Sequence, residues 1–284
     1  RAVRFDRSGF VARVSYREHR WFGPWHATDN PNRNDNVMGT AGEFGMGTEG
    51  MPPPLGFEQA APGEAFVKIG VGVLKKQGER YRFGSQYELI HDPGWQIKQQ
   101  ADAIEFSQEC RGHDTWSYRY QKKIQLDKSL PGFRIEYRLT NRGTRPIEQT
   151  YYAHNFISID DQPIGPHYRI TFGRPMIPES ARPAIRIAGN RLLFERPMKP
   201  EESFLIRFGG GPYTASANCV TVWNQSTGAG IRISGDTGLS RFHVWATARV
   251  VCPEPFVAMR VGRGETLQWT DHYQLLVNPE REQP

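Results

Sequence analysis

Phe133-Arg134-Ile135-Glu136-Tyr137-Arg138-Leu139 places an apolar side chain at every second position. That period belongs to a β-strand, whose successive side chains leave on opposite faces; an α-helix would scatter these residues around its axis. One face is therefore buried, while Arg134, Glu136 and Arg138 meet solvent or a second layer. Short alternating runs of the same kind precede it at 10–16, 66–74, 81–90, 103–109 and 116–126. Others follow it at 151–159, 168–172, 185–194, 204–208, 220–223, 231–234, 242–246, 256–261 and 266–277. Turn signals separate them, among them Asp92-Pro93-Gly94, Leu130-Pro131-Gly132, Asn141-Arg142-Gly143 and Gly262-Arg263-Gly264. No window carries apolar residues at helical spacing for three turns. The pattern predicts about fifteen strands, few short helices and an all-β fold, a large antiparallel β-sandwich.

The chain has 284 residues, of which 38% are hydrophobic and 23% charged, so it can bury a sizeable core and lies far from the disordered regime. No internal repeat or sharp change of composition divides it, and 1–284 reads as a single sandwich domain. Its one long departure from strand pattern is 26–62, rich in Asn, Gly and Pro, which reads as a loop; loops of this length are usually functional or disordered. The formal net charge is +6. The arginines stand singly and the densest basic run is Lys75-Lys76, so no stripe exists to neutralise a line of phosphates, and nucleic acid is not expected as a partner. No apolar stretch approaches the roughly 20 residues of a membrane-spanning helix. Cys110, Cys219 and Cys252 lack metal or redox spacing; a disulfide framework is excluded and a single bridge left open. The start at Arg1 fits either a trimmed chain or a mature protein that has lost a signal peptide, and the expectation leans towards a periplasmic or secreted protein. Oligomeric state is not legible.

Paired acid and base groups are the first chemistry to seek. His154 shares its facing with Tyr152 and Phe156 in Tyr151-Tyr152-Ala153-His154-Asn155-Phe156, as a core or a pocket residue. Glu254 lies between Pro253 and Pro255, which fix φ and deny the ladder a donor, holding the carboxylate in a rigid segment outside the ladder or in an exposed turn. Trp21, Trp25, Trp223, Trp245 and Trp269 offer flat faces for sugar rings, or core. The run Asp29 to Asp35 carries possible ligands for a hard cation, but the calcium-loop pattern is absent, and neither metal nor cofactor is expected. Gly209-Gly210-Gly211 opens no helical pattern, and no GxSxG motif appears.

The order of Gly132 to Gly143, Pro146-Ile147, His154-Asn155-Phe156, Cys252-Pro253-Glu254-Pro255, Gly264-Glu265 and Tyr273 resembles the aldose 1-epimerase (galactose mutarotase-like) superfamily. Gly42-Glu43-Phe44-Gly45 and Gly63 to Gly72 are similar to a bacterial, uncharacterised epimerase-like branch of it. The resemblance spans about 39–276 and implies a β-sandwich that interconverts the α and β anomers of a free sugar. By that resemblance Glu254 is the general base and His154 the general acid, acting on a sugar or oligosaccharide ligand. The family's second histidine follows a His-Gly pair that is missing here, since His91 and His113 stand in other surroundings. Its sugar-holding arginine is matched by Arg33 in Asn32-Arg33, and its substrate aspartate by none of Asp160, Asp161 and Asp236 in particular.

Further sugar-facing candidates are Asn155 beside the acid, and Glu43 with Lys68 as a charge pair at the pocket mouth or a structural salt bridge. His243 and Trp245 alternate on one strand and form a stacking platform, unless Trp245 belongs to the core. Two other functions suit the same features: a polysaccharide lyase or glycoside-processing enzyme, for acidic glycans given the charge, and a carbohydrate-binding module without catalysis.

Overall fold

The computed structural model describes residues 2–278 apart from Asp29, Pro31 and 112–114. In chain order the strands are β1 (Ser15–Tyr16), β2 (His19–Arg20), β3 (Gly39–Phe44), β4 (Ala65–Lys68), β5 (Gly72–Lys75), β6 (Leu89–His91) and β7 (Gln96–Gln99). Then come β8 (Ala103–Cys110), β9 (Tyr118–Leu126), β10 (Gly132–Asn141), β11 (Ile147–Phe156), β12 (Tyr168–Phe172), β13 (Ile177–Pro178) and β14 (Ile185–Ala188). The last are β15 (Arg191–Phe194), β16 (Ser203–Gly209), β17 (Cys219–Asn224), β18 (Ala229–Gly235), β19 (Arg241–Thr247), β20 (Val251–Val261) and β21 (Thr266–Val277). Among the described residues the one helix is a single 3-10 turn, Ala215–Ala217.

Two large antiparallel sheets dominate. One has ten strands in the order β14-β15-β12-β17-β18-β21-β10-β9-β8-β7, the other six in the order β13-β16-β19-β20-β11-β3. Their inner faces meet through aromatic side chains: Tyr151 of β11 lies against Tyr137 of β10 and Trp269 of β21, and Phe172 of β12 against Phe208 of β16 and Phe242 of β19. The alternation at 133–139 is realised as read, with Phe133, Ile135, Tyr137 and Leu139 in this interior. Burying such aromatic and branched side chains from water is the main favourable contribution to the fold.

Several sequence expectations are corrected. The stretch 39–44 inside the expected loop is β3, a fully buried strand paired with β11 from Tyr151↔Phe44 to Phe156↔Gly39. Conversely, 10–14 is not a strand; Val11 donates to Thr40 Oγ1 and its neighbours pass over the end of β3. The run 66–74 is a hairpin, β4 and β5, turned by Gly70 and Gly72 at φ 79° and 137°. Of 81–90 only its end enters β6, and 185–194 divides into β14 and β15. No disulfide joins the three cysteines.

Candidate active site

On β11, Tyr152, His154 and Phe156 leave the six-stranded sheet on the face turned away from its partner, while Tyr151 and Ala153 turn into the sandwich. Glu254 shares that outer face on β20, as do Arg241, His243 and Trp245 on β19. Register aligns them into a row across the strands: Arg207 of β16 stands opposite His243, and His243 opposite Glu254. His154 Nε2 then lies 3.0 Å from Glu254 Oε1, and His243 Nδ1 lies 3.9 Å from Glu254 Oε2. The carboxylate is held between two imidazoles.

Glu254 thus sits inside a strand paired with β19, correcting the reading of a segment outside the ladder. What the prolines do is narrower. The β11–β20 ladder stops at Tyr152↔Phe256 and resumes only at the bridge Ile157↔Val251. In the gap Asn155 Nδ2 donates to the Pro253 carbonyl at 3.2 Å and its Oδ1 accepts from Tyr273 at 2.9 Å. The side-chain amide satisfies the Pro253 carbonyl where no backbone amide of β11 pairs with it, and proline itself has no N–H to offer across the gap. Asn155 is fully buried and directed to the inner face, behind the row rather than in it.

Burial and aromatic contact define the surroundings. His154 and Glu254 are each 4% exposed and His243 2%. Phe156 stacks on His154 at 4.2 Å, Trp245 meets its edge at 5.4 Å, and Phe5 approaches from the N-terminal segment at 5.7 Å. Met51, from the segment after β3, joins the cluster of Phe5, Tyr152, Phe156 and Phe256 over the sheet. Burial lowers the His243 pKa, against the opposing pull of Glu254 and Glu49, which favours its neutral form. Nδ1 of His154 and Nδ1 of His243 are buried and find no hydrogen-bond partner among the described residues. Unsatisfied buried nitrogens beside a carboxylate are costly to keep, and such groups concentrate where chemistry is done.

Two other expected residues meet at Trp245. Trp25 contacts it edge-on at 5.7 Å and the Arg33 guanidinium lies over Trp25 at 5.0 Å. Together with Asp161, Glu202 and Arg249 they line an open cleft of about 780 Å³. Trp245 is the wall between this cleft and the His154–Glu254 pair.

Glu43 and Lys68 form a buried pair rather than the mouth of a pocket. Lys68 Nζ donates to Glu43 Oε1 at 3.0 Å, Tyr152 donates to Oε2 at 2.5 Å, and Arg4 Nε lies 3.1 Å from it, with both paired side chains wholly inaccessible. Burial pushes the Glu43 carboxyl up, but Lys68, Arg4 and Tyr152 together hold it below its ordinary value. Tyr152 ties this network to the row, two positions from His154 on one strand.

The sequence reading missed Glu49, which reaches the far end of the row. Its carboxylate contacts Arg207, and its Oε2 lies 3.6 Å from His243 Nε2 and 3.8 Å from Arg241 Nη1. Its signal was weak: one acid in the glycine-rich run Gly45 to Gly50. Asp160 and Asp161 lie away from the row, Asp160 paired with His19 at 2.7 Å and Asp161, which lines the neighbouring cleft, with Arg20 at 2.8 Å. Asp236 accepts from the Thr270 amide at the end of β18, also away from the row. His113 and Asp29 fall outside the described residues. Among the described residues no group of three or more metal-ligating side chains is found.

No protein-family model matches the chain, and no curated protein matches it in sequence. Solved structures do match it in shape. A candidate aldose 1-epimerase from Escherichia coli K12 superposes with a TM-score of 0.53 at 13% identity, covering 88% of each chain. A galactose mutarotase-like protein from Lactobacillus casei gives 0.51 at 12%, over 94% of this chain and all of that one (100%). A galactose mutarotase related enzyme from Lactobacillus acidophilus gives 0.55 at 9%, over 94% and 93%. What this chain shares with them is the fold, the galactose mutarotase-like sandwich.

Proposed function

We propose that the chain is a carbohydrate isomerase that interconverts the α and β anomers of a free aldose or of an oligosaccharide reducing end, with Glu254 as general base and His154 as general acid. The observation that carries the reading is the contact of His154 Nε2 with Glu254 Oε1 at 3.0 Å on an aromatic-lined sheet face. Anomer exchange needs proton transfers at the two oxygens bonded to C1, the anomeric hydroxyl and the ring oxygen, and two side chains this close, one able to accept and the other to donate, match that demand. Glu254 takes the proton from the anomeric hydroxyl, the O–H electrons become the carbonyl, and the bond from C1 to the ring oxygen breaks. His154 delivers a proton to that oxygen. Rotation about C1–C2 and the reverse transfers close the ring on the other face.

His243 lies on the Oε2 side of the base, at 3.9 Å, so Oε1 is the oxygen that faces His154 and, in this reading, the sugar. Stacking on Trp245 would orient the ring, and the cleft beyond it, with Trp25 and Arg33, has room for further sugar units of a longer chain. The fold shared with mutarotase-like proteins supports the same class, although one fold serves many chemistries. The test is proton exchange spectroscopy on a panel of aldoses and oligosaccharides. Wild type should accelerate α to β exchange, and Glu254→Gln and His154→Ala should each lower the rate by roughly 10²–10⁴-fold. Absence of acceleration on every sugar would reject the isomerase reading and leave the outer face to binding.

A further inference from the structure

The Glu49 carboxylate occupies a seat made for an anion. Arg207 of β16 contacts it directly, Arg241 and His243 of β19 stand at 3.8 Å and 3.6 Å, and the three come from adjacent strands of one rigid sheet. Arg207 and Arg241 keep over a third of their side chains exposed, so the seat is reachable from solvent, whereas its inner wall, His243, is buried against Glu254. Glu49 fills the seat incompletely. Its buried Oε2 and the buried Nε of Arg207 find no hydrogen-bond partner among the described residues. Its own backbone is also in the left-handed region at φ 55°, which a non-glycine residue adopts at a cost. Gly47 and Gly50, both at positive φ, flank it and give the segment backbone freedom to move.

From this geometry we infer that the seat of Arg207, Arg241 and His243 receives the carboxylate of a sugar acid, a uronic acid or a uronic-acid reducing end, which displaces Glu49 as it binds. The inference rests on the anomer-exchange reading only for the ligand's being a sugar. Two guanidiniums meeting a planar carboxylate already hold that group in the resting protein, and carboxylate is the anion whose shape they match side-on. A single imidazole separates the seat from Glu254. A pyranose with its anomeric hydroxyl at Glu254 would therefore extend a ring substituent to the arginines. Glu49 then serves as an internal competitor: neutral sugars leave it in place, and an anionic one takes over its ionic contacts.

The test is calorimetric binding of glucuronate, galacturonate, glucose and glucose 6-phosphate to wild type, Glu49→Gln and Arg207→Met, with thermal melts to establish that each variant is folded. Uronate affinity should rise about tenfold in Glu49→Gln and fall at least tenfold in Arg207→Met, while glucose changes less than twofold in either. In wild type, uronate binding should weaken with added salt, a readout that needs no variant. Equal affinity for glucose and the uronates in all three proteins would overturn the inference, as would binding of glucose 6-phosphate with none of either uronate. Uronate binding with the expected Glu49 and Arg207 dependence but no anomer exchange would refute the isomerase reading and leave the seat standing. Exchange of neutral aldoses, with neither uronate binding to any of the three proteins, would do the reverse.

Discussion

Asp271→Asn should make the protein lose less stability as the pH rises from 5 to 7. Asp271 projects from β21 into the sandwich interior with Trp269 and Tyr273, and is 6% exposed. Burial, together with the charge of nearby Asp236, raises its pKa from 3.8 to about 7, although a hydrogen bond with Tyr137 opposes the change. A carboxyl whose folded pKa is raised keeps its proton longer in the native state than in the unfolded chain. Its contribution is therefore fully present below the unfolded value near 3.8 and is lost as pH rises through about 7. The whole interval corresponds to about 4 kcal/mol, of which roughly 2–3 kcal/mol fall between pH 5 and pH 8. Asparagine keeps an oxygen for Tyr137 and has no proton to lose, so the variant should gain about that much on wild type between the two pH values. Urea unfolding of both proteins at pH 5, 6, 7 and 8, with equal m-values, measures it. Stability curves that run parallel across this range would show that Asp271 ionises in the native protein as it does in the unfolded chain, and would refute the reasoning.

Other positions give sharper structural readouts. Gly39→Ala should unfold at a clearly lower temperature, because at φ 75° an added Cβ would stand 2.0 Å from the Val11 carbonyl oxygen; Gly63→Ala, at φ 94° with open space around it, should be milder in the same melts. Asn155→Ala leaves the Pro253 carbonyl without its amide donor and Tyr273 without its acceptor, for a loss of about 1–3 kcal/mol in urea titration. The same variant should slow anomer exchange, since the Pro253–Pro255 segment that carries Glu254 loses its anchor; unchanged stability and rate would show the bridge to be dispensable.

The long strands were legible because the interior demanded large apolar side chains at alternate positions, as at 133–139. β3 was not, for an equally physical reason. Gly39-Thr40-Ala41-Gly42-Glu43-Phe44 carries few of the branched and aromatic residues by which strands are read, because the space beside it is already taken. Val11 crosses at Gly39, while Asp6 and Tyr151 close on Gly42 to within 2.9 Å of where a Cβ would be. The opposite error arose at 66–74, where glycines at 70 and 72 extended an apparent alternation through what is a turn. His154 and Glu254 could be proposed from motif order, and the antiparallel register of β11 and β20 brings them together. Arg207 could not: on β16 it alternates with Ile206 and Phe208, so it reads as an ordinary solvent-facing residue.

The two prolines show how the scaffold and the candidate chemistry constrain one another. Proline inside a central strand removes a ladder donor, and a strand with two of them at alternate positions loses its donors on one side only. That side faces β11, where the ladder is interrupted between Phe256 and Val251, and the β19 side keeps its continuous register. Glu254, between the prolines, is consequently fixed by β19 while its junction with β11 is held by Asn155 rather than by backbone bonds. The Glu254 carboxylate, 3.0 Å from His154 across that junction, has a mounting that is paired on one side and free of ladder bonds on the other. If the proposed anomer exchange holds, a sugar oxygen entering between the pair would need a small separation of Glu254 from His154, and the interrupted ladder leaves no β11–β20 backbone bond at that point to be broken.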